Sequence, residues 1–426
     1  MLFANLTHLI PILSDKRDLM TIAQLTSSRL AVFSAAPHRM FFFFGAISLL
    51  TSMAWWLLEL GTLFFGTPAP HTGLLPVRVH GLLMGYGLFT FFIFGFLSTT
   101  FPRWMNRPDI NQSIYAPAAW LLFAGYVTLL VASTYSKALL ILGLSLMLLG
   151  WLQGLRGLVD VFLKAENKAS HAWATLAGLL CGVLSLLLAI YAVITDSDAL
   201  LSWLLKNLIW WYLIPVYFSV CHRMVPFFSN NAAPNYQFRR PEWPLPWMLA
   251  GTFCHPLFDA IDLAILPELL MLAIAMYLFV LWQPWKCLHN PLLASLHIGF
   301  MWLSIGLLLQ LIQSIWWTVS DELIIPRAPL HALTIGFLSA MLVAMATRVT
   351  QGHSGGQLVM SRLTWGLFFG VQLCAITRLL AEFSAFQTVA PHLIVLSALL
   401  WLACFIPWVV QYAPLYLRAR RDGRPG

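Results

Sequence analysis

Residues 79–100 read VHGLLMGYGLFTFFIFGFLSTT. This stretch contains no Asp, Glu, Lys or Arg, and its one histidine is His80, near the beginning. An α-helix needs about 20 consecutive apolar residues to cross the ~30 Å hydrocarbon core of a bilayer. The stretch therefore predicts a membrane-spanning helix with an imidazole close to one membrane face.

The composition of the rest of the chain is of the same kind. The 426 residues are 60% hydrophobic and 9% charged, with a mean hydropathy of +0.80. Soluble domains carry roughly 25% charged residues, so this inventory cannot make a water-soluble surface. The net charge of +8 is scattered through short segments rather than gathered in a stripe, which argues against nucleic acid as a partner and for contact with membrane lipid.

The six cysteines form no CxxC motif and no close pair. The sequence therefore predicts neither a disulfide framework nor a zinc motif.

Apolar runs bounded by Pro, Gly and charged residues predict an all-α polytopic membrane protein with about twelve transmembrane helices. Asp259, Asp262 and Pro267 interrupt the pair inside 244–285, and the count falls to eleven if that region crosses once. The predicted helices are 40–60, 79–100, 113–133, 137–158, 172–194, 200–221, 244–264, 267–285, 292–318, 329–350, 361–381 and 390–416.

Basic residues give an orientation for these helices. With twelve crossings, 19 of the 24 Lys and Arg residues fall on the side shared by both termini, and five on the other. Cytoplasmic loops carry an excess of Lys and Arg, so both termini are predicted to be cytoplasmic, in an inner membrane. The predicted organisation is a cytoplasmic segment 1–39, whose following helix acts as an uncleaved signal, a transmembrane domain 40–416 and a basic tail 417–426.

Histidines are the main candidates for chemistry, because ionisable side chains inside a membrane are costly and usually functional. His80 and His331 open two different helices at similar depth near the outer face. Imidazole binds iron, copper and zinc, and a haem in a membrane bundle commonly takes histidines from two helices. The pair could therefore share a haem or metal, and Arg78 could contact a haem propionate or simply flank the membrane.

A second group is predicted at the inner face. His222, His297 and His353 lie at helix ends there, with Arg223 and Arg348 adjacent in sequence. Such a group could hold copper or another metal, or the arginines could orient an anion. The bland alternative is that helix-end histidines are interfacial and hydrogen-bonded.

Four other histidines, and six tryptophans near span ends, are assigned to structural roles. His8, His71, His171 and His289 are read as interfacial residues. The tryptophans are read as an aromatic belt: Trp55, Trp56, Trp210, Trp211, Trp316 and Trp317.

Several short elements between residues 38 and 356 together resemble the NnrS family of multi-span bacterial membrane proteins. HRMFF at 38–42 is similar to the family's FRPFF, and His80 with GY at 85–86, GFL at 95–97 and PRW at 102–104 is similar to HEMxxGY…GFLLTAxPxW. RMVPFF at 223–228 is similar to RVIPFF, and LHIG stands at 296–299. HALTIG at 331–336, TRVT at 347–350 and GHSG at 352–355 are similar to HALTVG…TRVxLGHTGR.

The resemblance implies a haem-binding, copper-associated membrane protein of the response to nitric oxide, which would take nitric oxide or another small diatomic as its partner. It implies His80, His297 and His331 as ligands, then His353, and a b-type haem. Gly81, Arg78 and Gly356 depart from the family pattern, and His222 stands where the family tends to have glycine.

One further resemblance of fold and two further classes of function, a secondary transporter and an assembly partner, remain open. Twelve helices with histidines on the second and tenth are similar to the bundle of haem-copper oxidase catalytic subunits, although adjacent histidine pairs for an oxidase copper centre are absent. A secondary transporter would use Glu59, Asp259, Asp262, His297 and Arg348 as a path. An assembly partner of a respiratory complex would need neither a ligand nor a path.

Overall fold

The computed structural model describes residues 30–67, 74–132 and 136–423, and every regular element within these ranges is a helix. The predicted all-α class is confirmed. Residues 1–29 of the predicted N-terminal segment, residues 424–426 of the tail, His8 and His71 lie outside the described residues.

Twelve helical segments correspond one to one with the predicted spans. They are α1 Pro37–Phe65, α2 Pro76–Trp104, α3 Gln112–Ala132, α4 Lys137–Lys164, α5 Ser170–Ile194, α6 Asp198–Ala232, α7 Pro244–Asp259, α8 Ile265–Lys286, α9 Pro291–Ser320, α10 Ala328–His353, α11 Arg362–Leu380 and α12 Ser384–Tyr416. Among the described residues, eleven of these are long and apolar enough to cross a membrane. The exception is α7, whose 16 residues extend only ~24 Å at 1.5 Å per residue.

Two contacts show how α7 runs. At its C-terminal end Asp259 accepts a hydrogen bond of 2.6 Å from Lys206, near the start of α6. At the end of α8, Lys286 donates to the carbonyl of Asn235, just beyond the end of α6. The α7–α8 hairpin therefore covers nearly the depth of α6, which keeps the twelve-segment order.

The first and last described helices begin and end on the same face of the bundle, here called the terminal face. The Arg39 guanidinium at the start of α1 donates to the carbonyls of Tyr416 (3.2 Å) and Arg418 (2.7 Å) beyond α12. On the other side, called the opposite face, Lys137 pairs with Asp196 at 2.6 Å. Because α1 begins and α12 ends on the same face, the chain between them crosses the bundle an even number of times.

The largest error in a predicted boundary lies at the end of the sixth helix. The sixth helix was expected to end at residue 221, but α6 continues to Ala232, so the linker predicted at 223–243 is helical in its first half. Arg223 does not end the helix, because its guanidinium lies over the Trp104 ring at 5.0 Å. A cation with an aromatic partner can be kept at a helix surface near the membrane interface.

Two features of the core position the histidines. The most apolar stretches of α2 and α10 are 89% and 83% buried, which makes these helices the most enclosed of the eleven. Three helices also contain a π-helical segment: Leu83–Leu88 in α2, Ile209–Leu213 in α6 and Ala332–Ser339 in α10. Such segments are rare and occur frequently at functional sites.

Candidate functional site

His80 and His331 lie beside the π-helical segments of the two most enclosed helices. His331 immediately precedes Ala332–Ser339, and His80 lies three residues before Leu83–Leu88. The two imidazoles are close enough to interact electrostatically, and both feel the charge of Arg378 in α11. The structure therefore places the two imidazoles within electrostatic range of each other, and their sharing of one ligand stays a prediction.

Hydrogen bonding fixes the state of the His331 ring. Its Nδ1 lies 2.8 Å from the carbonyl oxygen of Arg327. A carbonyl can only accept, so Nδ1 carries the proton and the neutral ring presents its Nε2 lone pair. A backbone carbonyl commonly orients metal-binding histidines in this way.

His80 is held by stacking rather than by a hydrogen bond. Its ring lies 4.2 Å from that of Trp56, centroid to centroid, at an interplanar angle of 21°. Its Nδ1 is buried and has no hydrogen-bond partner among the described residues. A buried polar atom without a partner is costly and calls for an explanation such as a ligand.

Two arginines near this pair, Arg78 and Arg378, already have carboxylate partners. Arg78 makes two hydrogen bonds of 3.0 and 3.1 Å to Asp198 at the start of α6. Arg378 pairs with Glu382 at 2.6 Å, and both side chains are largely buried. Arg78 thus joins α2 to α6, and a role with a haem propionate would require it to share or leave Asp198.

The three histidines predicted to converge at the terminal face lie in separate surroundings. His222 is hydrogen-bonded to His171 at 2.8 Å, and His297 to Ser229 at 2.9 Å. His353 lies beside His38, with ring centroids 4.5 Å apart and the rings tilted by 44°. Within the described ranges no group of three His, Cys, Asp or Glu residues could hold a metal ion.

Sequence reasoning missed the partners in these pairs. His171 was assigned a structural role and His38 no role, because depth along a helix does not reveal which way a side chain faces. His38 and His171 are only 2% and 1% exposed. The one signal in the sequence for these pairs was His222, which stands where the family tends to have glycine. In the structure this histidine is hydrogen-bonded to His171.

Another buried pair joins α7 to α8. His255 Nε2 lies 2.9 Å from Oε1 of Glu268, and Gln310 and Ser314 of α9 also donate to that oxygen at 3.0 and 2.8 Å. Glu268 is fully buried. The sequence analysis assigned a role to neither His255 nor Glu268.

Tryptophans contribute to two of these sites. Trp210, in the π-helical segment of α6, stacks on His255 with ring centroids 4.0 Å apart, as Trp56 does on His80. The prediction of an aromatic belt is wrong for Trp210, which is only 3% exposed, whereas Trp56 is half-buried. Trp316 and Trp317 are 45% and 40% exposed, as residues of a belt would be.

At the terminal face, two groups follow the helices rather than lying within them. Burial raises the pKa of the Tyr236 phenol and of the Cys287 thiol, and the Ser229 hydroxyl partly offsets both shifts. Both groups therefore stay protonated at neutral pH.

The fold and these sites define the class: a polytopic, all-helical membrane protein with imidazoles placed at helix ends. The family model described as NnrS protein matches residues 32–420. The chain belongs to the NnrS family, as its motifs predicted. No protein of curated function matches it.

Proposed function

We propose that this chain binds haem between α2 and α10, with His80 and His331 as ligands, and that it acts in the response to nitric oxide. Membership of the NnrS family supports a membrane protein associated with that response. The observation that carries the haem proposal is the pairing of two half-buried imidazoles on the most enclosed helices, each next to a π-helical segment.

The donor atoms fit an iron ligand set. His331 offers an Nε2 lone pair with its tautomer fixed by Arg327, and His80 has an imidazole nitrogen without a partner. No C-x-x-C-H motif occurs in the chain, which supports a non-covalent, b-type haem. Bound there, haem would supply one-electron chemistry and an affinity for nitric oxide or another small diatomic.

An apolar cavity supports a small diatomic partner. Its volume is about 40 Å³, and it lies among α1, α2, α6 and α10, where Phe92, Tyr217 and Met345 are among the lining residues. A water molecule occupies about 30 Å³ of liquid, so the space suits a molecule of two or three atoms. Its apolar lining favours an uncharged one.

An absorption spectrum of the full-length chain, purified after expression with added haem, tests this proposal. The wild type should show a Soret band, and His80→Ala and His331→Ala should each lose or shift it. His392→Ala is the matched control, because His392 also opens a helix at the opposite face but is exposed. If both variants keep an unchanged spectrum, the ligand pair is wrong and His297 becomes the next candidate.

Copper remains a prediction. Metal analysis of the same preparations tests it, and His222→Ala, His297→Ala and His353→Ala identify which terminal-face histidine the metal requires.

We further propose that the terminal face is cytoplasmic and that the protein lies in the inner membrane. The excess of Lys and Arg on that face supports the orientation. Reporter fusions after Gly426 and between residues 233 and 243 should both report cytoplasm. A periplasmic signal from either would contradict the orientation.

A secondary transporter is the competing function, and the buried His255–Glu268 pair is the observation that favours it. A buried carboxylate beside an imidazole can carry a proton through a membrane domain. The path predicted from sequence is not continuous, since Asp259 pairs with Lys206 at the opposite face and Arg348 lies over the Phe228 ring. Proton flux in liposomes without a Soret band at any haem loading would support transport instead.

A further inference from the structure

A polar cavity of about 270 Å³ opens at the terminal face, between the start of α1, the end of α2 and the end of α10. Its lining includes His38, His353, Ser98, Thr99, Arg103 and Asp109. The volume holds several water molecules or a small polyatomic ion with its hydration. It is far larger than the apolar cavity inside the bundle.

Two imidazoles face each other at this cavity. Their ring centroids are 4.5 Å apart. His353 Nδ1 lies 2.9 Å from the carbonyl oxygen of Val349, so this nitrogen carries the proton of the neutral ring. His38 is only 2% exposed, and its Nδ1 has no partner among the described residues.

The charged groups that act on the two rings are all basic. Arg39, Arg103 and Arg420 lie within electrostatic range of both imidazoles. Arg420 pairs with Asp422, whereas no carboxylate of the described residues forms a salt bridge with Arg39 or Arg103. Asp109 also lines the cavity, but it is not among the charged groups that act on either imidazole.

This setting opposes a metal cation. The Nε2 of His353, which holds the one lone pair of the neutral ring, accepts a hydrogen bond of 3.5 Å from the Arg103 guanidinium. A metal bonded to that atom at ~2 Å would lie against a fixed positive charge. The same guanidinium, with five N–H donors, is suited to the oxygens of an anion.

We propose that this cavity binds a small oxyanion, with Arg103 as the charged donor and a ring N–H of the buried His38 as a second donor. Arg39 adds positive potential but is committed to the carbonyls at the end of α12. The site lies at the terminal face and does not depend on haem binding between α2 and α10. Nitrate and phosphate are suitable probes because both fit the volume and differ in shape and charge.

Calorimetric titration of the detergent-purified full chain with sodium nitrate and with sodium phosphate, at constant ionic strength set by chloride, tests the site. Arg103→Gln removes the positive charge and His38→Phe removes the ring N–H donor, so each should weaken binding of the better probe by about tenfold or more. Arg362→Gln, which changes an exposed arginine on the same face, should bind like the wild type. Equal binding by all four proteins, or no saturable binding by the wild type, would overturn the proposal.

Arg103→Lys separates charge from geometry. It keeps the positive charge but loses the planar set of donors, so its affinity should fall between those of the wild type and Arg103→Gln. An affinity equal to that of Arg103→Gln would still support the site, with recognition assigned to the guanidinium geometry. Retained helical circular dichroism and a monodisperse elution profile confirm that each variant is folded.

A lipid headgroup could supply the same oxyanion chemistry. The titration is therefore repeated in nanodiscs of phosphatidylcholine alone and in nanodiscs containing phosphatidylglycerol. If phosphatidylglycerol abolishes binding of the free ion in the wild type, the site stands and its occupant is a lipid phosphate. Unchanged binding in both nanodiscs assigns the site to a free ion.

Discussion

Replacing Glu268 with leucine should destabilise the bundle through three hydrogen bonds at once. In the wild type His255, Gln310 and Ser314 all donate to one carboxylate oxygen, from 2.8 to 3.0 Å away. Leucine has a similar volume but accepts no hydrogen bond. His255 would then remain buried, and Gln310 and Ser314 half-buried, without an acceptor inside a membrane-spanning part of the protein.

The decrease in the free energy of unfolding caused by Glu268→Leu indicates whether the His255–Glu268 pair is ionised. Hydrogen bonds between neutral groups in membrane proteins average ~0.6 kcal/mol, so three of them amount to about 2 kcal/mol. Removing one partner of a buried ion pair costs about 3–5 kcal/mol, because the other charge is left uncompensated. Glu268 and His255 are 0% and 1% exposed, so solvent cannot screen the remaining charge. We expect about 3–5 kcal/mol.

Unfolding by sodium dodecyl sulfate in mixed micelles, followed by circular dichroism, measures the loss. Glu322→Gln is the control, because this glutamate is exposed. The double variant His255→Leu/Glu268→Leu should be more stable than Glu268→Leu alone, since it removes the orphaned imidazole. A loss of 2 kcal/mol or less, with no recovery in the double variant, would refute an ionised pair.

Three further outcomes follow from the packing and burial of single residues. Gly125→Ala should cost about 1–3 kcal/mol, because its Cβ would lie 2.5 Å from a backbone nitrogen of α4, whereas Gly366→Ala, with open space around it, should not destabilise; the same unfolding assay measures both. Cys287 should react slowly with maleimide in the folded protein and faster as the pH rises, because burial raises the pKa of its thiol and leaves little thiolate at neutral pH; mass spectrometry after timed labelling measures the rate, and rapid labelling near pH 7 would contradict it. Arg39→Gln should weaken the attachment of α12 by about 1.5–3 kcal/mol through the loss of two charged hydrogen bonds, and should make the chain beyond Tyr416 more sensitive to protease than in Arg362→Gln.

Sequence alone predicted the helices, their order and the shared face of both ends. These properties depend on the local run of apolar residues and on the distribution of Lys and Arg, both of which can be read along the chain. The α7 region shows the limit of this reading, because its helix stops at Asp259 and a turn with Asp262 at φ 56° completes the passage. The apolar run had suggested a helix to residue 264.

Tertiary structure decided which histidines meet. Position in the sequence gives the depth of a residue within a span, but helix rotation and neighbours are set by packing. His222, His297 and His353 share a depth and face different partners, while His353 meets His38 across 300 residues of chain. The π-helical segments beside His80 and His331 also change the rotation of each helix, so a regular 3.6-residue period could not have placed their rings.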